Sequence, residues 1–238
     1  MNSKQKPDSK YIQDMFDRLA ERYDVFNHLT SMGLASYWRR EALKPLKAGM
    51  RVLDLGCGTG DLCIDAIKKI GASGEVVGLD FSENMLQFAR KRYDKLGFNG
   101  NHKFRLELKK AEELPIEKEP YDLVVSGFVL RNLYENIDLI LSGVHQSLKP
   151  GGRISFLDIT EPQHPAVRIM WQFYMNTVVA FYGKILFGKD YPTLYLTQSA
   201  SRFLKAEEFV EKLKRVGFGD VCVRSFMFGV ISLYQAVK

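Results

Sequence analysis

The chain has 238 residues, of which 46% are apolar and 12% aromatic, so it can bury one sizeable core and is not intrinsically disordered. Its net charge is +6, but the Lys and Arg residues are scattered, which leaves nucleic acid, an anionic membrane surface and plain solubility as alternatives. Three cysteines without C-x-x-C spacing indicate reduced, buried residues and exclude a disulfide scaffold.

Helices are predicted before the first strand. Apolar residues recur at helical spacing between residues 12 and 23, after the possible N-cap Ser9, and a second helix is predicted over residues 35–46. We predict that residues 1–48 form a helical lid on a domain that spans residues 49–238. The chain opens without an apolar leader, and residues 169–183 are too short for a membrane span of about 20 residues, which predicts an unexported protein.

From residue 51 onwards, short apolar runs alternate with amphipathic segments. This alternation predicts a mostly parallel sheet with helices on both faces, whose ligand lies beyond the carboxyl ends of the strands. The predicted strands cover residues 51–55, 75–80, 103–108, 121–126 and 153–158, and the predicted helices cover residues 61–70, 82–96 and 137–148.

The alternation stops after the fifth strand. Residues 162–196 are rich in aromatic residues and predict one or two helices, punctuated by Gly183, Gly188 and Pro192. A helix over residues 206–216 and two strands over residues 221–226 and 230–237 follow, and the strands are expected to form an antiparallel hairpin at the sheet edge.

The first strand runs directly into a glycine-rich loop. Glycines at positions 56, 58 and 60 let a ligand approach the backbone, but the dinucleotide fingerprint G-x-G-x-x-G requires glycine where this chain has Asp61. Asp54 and Asp61 flank the loop and favour a cationic nucleotide, although the two carboxylates could also only stabilise the loop and cap the helix. Asp80 ends the second strand, where a carboxylate can accept ribose hydroxyls.

These motifs resemble a known family. The sequence LDLGCGTG at residues 53–60 resembles the first motif of class I S-adenosylmethionine-dependent methyltransferases, which have a Rossmann-like α/β fold with a seven-stranded sheet. Three further segments resemble the UbiE and MenG quinone C-methyltransferases, which act on demethylmenaquinol or 2-polyprenyl-6-methoxybenzoquinol. They are the aromatic-rich residues 15–39, FVLRNL at residues 128–133, and YL with a nearby serine at residues 195–199.

The resemblance implies an enzyme that uses S-adenosylmethionine, holds no metal and methylates a ring carbon of a polyprenyl quinol. Lys110, Gly127 and Val129 depart from the residues usual in the family, which leaves the identity of the quinol open. The implied cofactor-binding residues are Asp54, Gly56, Gly58, Thr59, Gly60, Asp80, Phe81, Lys110, Ala111 and Gly127.

On the substrate side, Arg131 is expected to lower the pKa of a quinol hydroxyl, and Asn132 to orient the ring oxygen. Both residues could instead only cap the loop after the fourth strand. Tyr23 completes the predicted catalytic residues. The predicted substrate-binding residues are Asn27, Phe128, Trp171, Tyr174 and Tyr195, although the aromatic stretch around Trp171 would equally suit a packed core.

Several functions remain as alternatives. Methylation of a small molecule on oxygen or nitrogen is the nearest, followed by a non-catalytic S-adenosylmethionine-binding partner of a quinone-synthesis complex. A nucleic-acid amino-methyltransferase is disfavoured because residues 126–129 lack the expected Asn/Asp-Pro-Pro-aromatic motif, and nucleic acid is not an expected partner. We expect a cytoplasmic protein. A weak peripheral contact with the inner face of the membrane and a homodimer are left open.

Overall fold

The computed structural model describes residues 22–98, 102–114, 119–188 and 205–238. Residues 1–21, which hold nearly all of the predicted first helix, and Tyr195 with its neighbours therefore lie outside the described residues. Within these ranges, no helix is long and apolar enough to cross a membrane.

The strands form one seven-stranded sheet in the order β3-β2-β1-β4-β5-β7-β6. Strands β1 to β5 run parallel, and β7 pairs antiparallel with both β5 and β6. The predicted fold class and edge hairpin are thus confirmed. The strands are β1 (Arg51–Leu55), β2 (Glu75–Asp80), β3 (Lys103–Leu108), β4 (Tyr121–Gly127), β5 (Leu148–Ile159), β6 (Gly219–Phe226) and β7 (Ile231–Val237).

Helices cover both faces of the sheet, because the central strands are buried apolar runs that need partners on each side. Ser82 caps the helix after β2 as predicted, since its hydroxyl accepts a hydrogen bond from the Met85 N–H at 3.1 Å. The helices are α1 (Tyr23–Thr30), α2 (Ala35–Ala42), α3 (Asp61–Ile70), α4 (Glu83–Lys95), α5 (Ile137–Ser147), α6 (Pro165–Tyr174), α7 (Ala180–Phe187) and α8 (Ala206–Val216).

Three predicted details were wrong. Strand β5 begins at Leu148 rather than near residue 153, since Leu148 already pairs with Tyr121 of β4. Helix α2 ends at Ala42 rather than near Leu46, because Pro45 cannot continue a helix and disfavours the helical conformation of the residue before it. Gly183 does not punctuate the insertion; it is buried inside α7, where a residue without a side chain permits close packing. Gly188 does end α7, with a φ of 81°.

The insertion is one long helix interrupted by a π turn over Met175–Val179, which separates α6 from α7. Its buried side packs against helix α1, where Phe26, Trp171, Met175 and Val179 form a separate apolar cluster. The Tyr174 hydroxyl donates to the Thr30 carbonyl at 2.9 Å. The insertion therefore holds α1 through apolar packing and one hydrogen bond.

Candidate active site

A cleft lies at the carboxyl ends of β1, β2 and β4, as expected for a parallel α/β sheet. Twelve of the predicted site residues line it: Tyr23, Asn27, Asp54, Gly56, Gly58, Thr59, Asp80, Phe81, Ala111, Gly127, Phe128 and Asn132. The cleft thus brings together residues from the glycine loop, two strand ends, the loop after β4 and helix α1.

The glycine loop has the geometry that its sequence requires. Gly56, Gly58 and Gly60 all have positive φ angles, of 71°, 52° and 85°. A Cβ atom on Gly56 would lie 2.6 Å from Val129, so this glycine also permits the loop after β4 to pack against it. Gly60 is the N-cap of α3 and does not line the cleft; a Cβ atom on it would lie 3.0 Å from Ala89, and its predicted contact with the cofactor stays a prediction.

Asp54 is the buried charge of the cleft. Its Oδ2 accepts a hydrogen bond from the Cys63 thiol at 3.2 Å, and its Oδ1 is buried without a partner among the described residues. Burial raises the pKa of this carboxyl to about 7; the Cys63 hydrogen bond opposes the rise and the negative charge of Asp80 adds to it. An unpartnered buried carboxylate oxygen is suited to a cationic ligand.

Asp80 holds the loop as well as facing the cleft. Its two carboxylate oxygens accept hydrogen bonds from the Gly58 N–H at 2.8 Å and the Ser82 N–H at 2.9 Å. Each oxygen retains a second lone pair, which is compatible with the predicted ribose contact.

Asp61 matches the second alternative left open by its position in the sequence, that of stabilising the loop and the start of the helix. Its two oxygens are paired with Arg92 at 2.7 Å and with Arg39 at 3.0 Å. Asp61 therefore stabilises the start of α3, and among the flanking carboxylates Asp54 is the one left to attract a cationic ligand.

After β3, the lysine that lines the cleft is one residue earlier in the chain than predicted. Ala111 lines the cleft, but Lys109 and not Lys110 accompanies it. The Lys109 N–H donates to the Asp80 carbonyl at 3.0 Å, so the chain continues its extended pairing and directs alternate side chains to opposite sides. The cation predicted at Lys110 is thus Lys109, whose Nζ lies 3.0 Å from Glu107.

A strained turn follows β4. Phe128 lines the cleft with a φ of 64°, an unusual conformation for an aromatic residue, and its N–H donates to the Leu157 carbonyl at 2.7 Å. Its ring packs edge-on against Trp38 of α2. Gly127 lies at the cleft directly before it, where a Cβ atom would meet Leu62 at 2.9 Å.

Arg131 secures this turn. The residue is 3% exposed, and its Nη1 donates to Asp158 at 2.6 Å and to the Phe128 carbonyl at 2.5 Å. The Arg131 N–H also donates to Asp158, at 2.8 Å. Arg131 does not line the cleft. Its predicted effect on the pKa of a quinol hydroxyl, directly or through a water, stays a prediction, whereas Asn132 does line the cleft.

Helix α1 contributes Tyr23 and Asn27 to the cleft from above the glycine loop. Burial raises the pKa of the Tyr23 phenol, although the positive charge of Arg131 and a hydrogen bond with Asn27 act in the opposite direction. The raised pKa keeps the Tyr23 hydroxyl protonated, so that it can donate a hydrogen bond.

Two predicted substrate residues lie elsewhere. Trp171 and Tyr174 pack around Phe26 in the cluster between the insertion and α1, and neither lines the cleft. The core-packing alternative therefore describes their position. Tyr195 lies outside the described residues.

The sequence indicated no role for Arg92, and indicated Arg39 only as part of the family resemblance over residues 15–39; both pair with Asp61, from α4 and α2. Their partners lie more than 20 residues away along the chain, so no local spacing could reveal them.

The sequence model described as the ubiE/COQ5 methyltransferase family matches residues 4–238. This chain belongs to that family. Curated relatives agree over the full length. A demethylmenaquinone methyltransferase of Lactobacillus johnsonii is 34% identical over 100% of this chain and 97% of its own. One of Bacillus cytotoxicus is 32% identical over 98% of both chains.

Solved structures support the fold of this ubiE/COQ5 family member. A SAM-dependent methyltransferase from Aquifex aeolicus has a TM-score of 0.63 and 20% identity, covering 93% of this chain and 97% of its own. An S-adenosylmethionine-dependent methyltransferase from Mesorhizobium loti has a TM-score of 0.61 and 22% identity, covering 87% of this chain and 99% of its own.

The chain is therefore an S-adenosylmethionine-dependent methyltransferase. The cleft fits this cofactor: the glycine loop leaves room for it, Asp54 offers an unpartnered carboxylate oxygen to its positive charge, and Asp80 stands at the end of β2 for its ribose. Phe81, Lys109 and Ala111 also line the cleft.

Proposed function

We propose that this enzyme methylates a ring carbon of a polyprenyl quinol, with demethylmenaquinol as the first candidate. The observation that carries the proposal is the composition of the cleft beyond the glycine loop. Its wall there is apolar, through Phe128, Val129 and Leu133, and is interrupted by the amides of Asn27 and Asn132. A flat aromatic ring with oxygen substituents matches such a wall. The names of the curated relatives favour a naphthoquinol over a methoxybenzoquinol.

The chemistry requires a reduced ring. When bound, S-adenosylmethionine supplies an electrophilic methyl group, and an electron-rich ring carbon must lie in line with it. Loss of a phenolic proton spreads negative charge onto the ring carbons, whereas an oxidised quinone offers no such nucleophile. We therefore propose that alignment within the cleft provides much of the rate enhancement.

Some residues of the site would orient the quinol ring, and others would hold the orienting residues in place. Asn132 and Asn27 donate hydrogen bonds to the ring oxygens, and the neutral Tyr23 hydroxyl donates to a developing phenolate. Phe128 and Val129 set the plane of the ring. Arg131 supports this arrangement from behind by fixing the turn at Phe128, through its bonds with Asp158 and the Phe128 carbonyl.

Product analysis tests the proposal directly. Incubation with S-adenosylmethionine carrying a deuterated methyl group and short-chain demethylmenaquinol is expected to give a C-methylated product by mass spectrometry. Asn132→Leu should lower kcat/KM about 10- to 100-fold, because it removes a hydrogen bond to a charged oxygen. Asn136→Leu is the matched control, since Asn136 is exposed, bonds Glu112 and does not line the cleft.

The outcomes separate the alternatives. A methyl group on oxygen would support the O-methyltransferase alternative, and cofactor binding without turnover on any quinol would support a non-catalytic partner. Transfer to methoxybenzoquinol but not demethylmenaquinol would reverse the preferred substrate.

We also propose that the enzyme contacts the inner face of the membrane, where polyprenyl tails reside. The insertion presents an exposed apolar row whose members are 59–68% exposed: Ile169, Met170, Phe173, Phe181 and Ile185. The π turn adds one residue between the two halves of the helix, which keeps Phe181 and Ile185 on the side of Phe173. Exposed Arg168 and Lys184 border the row and suit anionic headgroups.

Vesicle flotation measures this contact. The double variant Phe173→Ser, Phe181→Ser is expected to lower partitioning onto anionic vesicles about 100-fold, at about tenfold for each phenylalanine withdrawn from the lipid. Leu139→Ser serves as the control, because Leu139 is 61% exposed on α5, outside the row. Equal partitioning of all three proteins, or none by the wild type at low salt, would contradict the proposal.

A further inference from the structure

A cluster of charged residues joins helix α1 to the glycine loop. The Thr59 hydroxyl donates to one oxygen of Asp24 at 2.7 Å, and the other oxygen of Asp24 pairs with Arg92 at 2.9 Å. Arg92 also pairs with Asp61, which in turn pairs with Arg39 of α2. The cluster thus links α1, α2, α3 and α4 around the loop that faces the cofactor.

Arg92 is the centre of this cluster. Its Nη1 donates to the Thr59 carbonyl at 3.1 Å and to the Thr59 hydroxyl at 3.3 Å, and lies 2.9 Å from Asp24; its Nη2 donates to Asp61 at 2.7 Å. One planar guanidinium therefore holds the loop backbone, the start of α3 and the lid helix together. A lysine has no such fork and could not make these contacts at once.

The position of Asp24 connects this cluster to the substrate side of the cleft. Asp24 lies in α1 directly after Tyr23 and three residues before Asn27, the two α1 residues that line the cleft. Two further contacts join α1 to the insertion: Phe26 packs on Phe187, and the Tyr174 hydroxyl bonds the Thr30 carbonyl. Asp24 adds an ionic contact from α1 to Arg92 and a hydrogen bond to Thr59 of the glycine loop.

We infer that Arg92 is a positioning residue for methyl transfer: it holds helix α1, and with it Tyr23 and Asn27, against the loop that binds the cofactor. Arg92 does not line the cleft and touches no reacting atom. The distance between the glycine loop and the α1 residues Tyr23 and Asn27 then depends on the Arg92 side chain. The inference rests on the proposed quinol substrate only for its turnover measurement.

Four variants test this inference. Arg92→Gln removes all the ionic contacts of Arg92, and Asp24→Asn removes only its ionic contact with α1. Arg92→Lys keeps the positive charge but lacks the planar guanidinium group. Arg90→Gln is the matched control, because Arg90 lies on the exposed side of the same helix and contacts only the Phe104 and Tyr93 rings in its described interactions. The measurements are hydrogen–deuterium exchange of α1, calorimetric binding of S-adenosylhomocysteine, and kcat with demethylmenaquinol.

For Arg92→Gln we expect α1 to exchange at least about tenfold faster, kcat to fall about tenfold or more, and S-adenosylhomocysteine binding to weaken about tenfold. Asp24→Asn should reproduce the exchange and kcat effects while leaving cofactor binding within about threefold of the wild type, because Arg92 still holds the loop. A double variant that combines Arg92→Gln with Asp24→Asn should be no slower than Arg92→Gln alone. Arg92→Lys should recover part of kcat, and Arg90→Gln should match the wild type.

Unchanged exchange of α1 in Arg92→Gln would overturn the inference, as would faster exchange spread evenly over the whole chain. Turnover of Asp24→Asn equal to that of the wild type would overturn it too. If the wild type methylates no quinol, the proposed function fails, and the exchange and calorimetry measurements alone then decide the role of Arg92.

Discussion

Replacing Asp54 with Asn is expected to weaken S-adenosylmethionine binding about 100-fold, since a charge-assisted contact in a buried site contributes about 1.5 to 3 kcal/mol. The carboxylate has one oxygen bonded to Cys63 and one oxygen buried without a partner among the described residues, and asparagine keeps the shape while removing the charge. Isothermal titration calorimetry measures the effect. Asp65→Asn is the control, because Asp65 lies on α3 close by but does not line the cleft.

The same residue gives the affinity a dependence on pH. Because burial raises the pKa of Asp54 to about 7, the free enzyme holds a proton that the unfolded chain releases near pH 4. The contribution of Asp54 to stability therefore falls as the pH rises from about 4 to 7, whereas affinity for a cation rises through the upper part of that window and is constant above it. Both dependences should vanish in Asp54→Asn.

Cys63→Ala sharpens this expectation. The thiol donates a hydrogen bond that favours the ionised form of Asp54, so its removal should move the midpoint of the affinity curve to higher pH. An affinity that is flat between about pH 5.5 and 8 in the wild type would contradict the assignment of Asp54 as the anionic partner of the cofactor.

Breaking the pair of Arg131 and Asp158 is expected to destabilise the protein by about 3 to 5 kcal/mol, because either single substitution leaves a buried charge unpaired. Arg131 is 3% exposed and Asp158 is fully buried. For a chain of this length the loss corresponds to a Tm lowered by roughly 6 to 20 °C, measurable by calorimetry. Asp158→Asn and Arg131→Met should each lower the Tm by this amount. The variant with both substitutions should lose less free energy of unfolding than the sum of the two single losses.

Activity distinguishes the two roles considered for Arg131. If the pair positions the turn at Phe128, stability, cofactor affinity and turnover of Arg131→Met should decline together. A variant with the Tm and cofactor affinity of the wild type but a greatly reduced kcat would instead show that Arg131 acts on the quinol. Arg153→Met provides the comparison, since Arg153 lies on the same strand as Asp158 but away from its carboxyl end.

Local patterns in the sequence were sufficient for the sheet. The apolar run ending at Asp54, the glycine spacing after it and the cap at Ser82 are each determined by residues a few positions apart, and each was predicted with its correct place in the fold. The family resemblance added residues of the loop after β4, of which Phe128 and Asn132 do line the cleft.

Long-range pairing was beyond the reach of these patterns. Nothing near Arg131 in the sequence indicates that Asp158 neutralises it, since the two residues meet only because β4 and β5 are neighbours in the sheet. Lys109 lines the cleft where Lys110 was predicted, and the cause is local. In an extended chain successive side chains point to opposite sides, so an error of one residue after β3 selects the wrong lysine. Trp171 was predicted as a substrate contact because an aromatic-rich segment has the same residue types whether it packs in a core or binds a ligand.

Two independent properties determine the outer surface of the insertion, and the π turn affects only one of them. Side-chain identity determines how apolar that surface is, whereas backbone phase determines which residues share it. Deleting one residue among Met175–Val179 would rotate Phe181 and Ile185 by roughly 100° relative to Phe173 without changing the composition of the exposed row. A single change in length could therefore redirect what this helix presents to its surroundings, independently of the cleft.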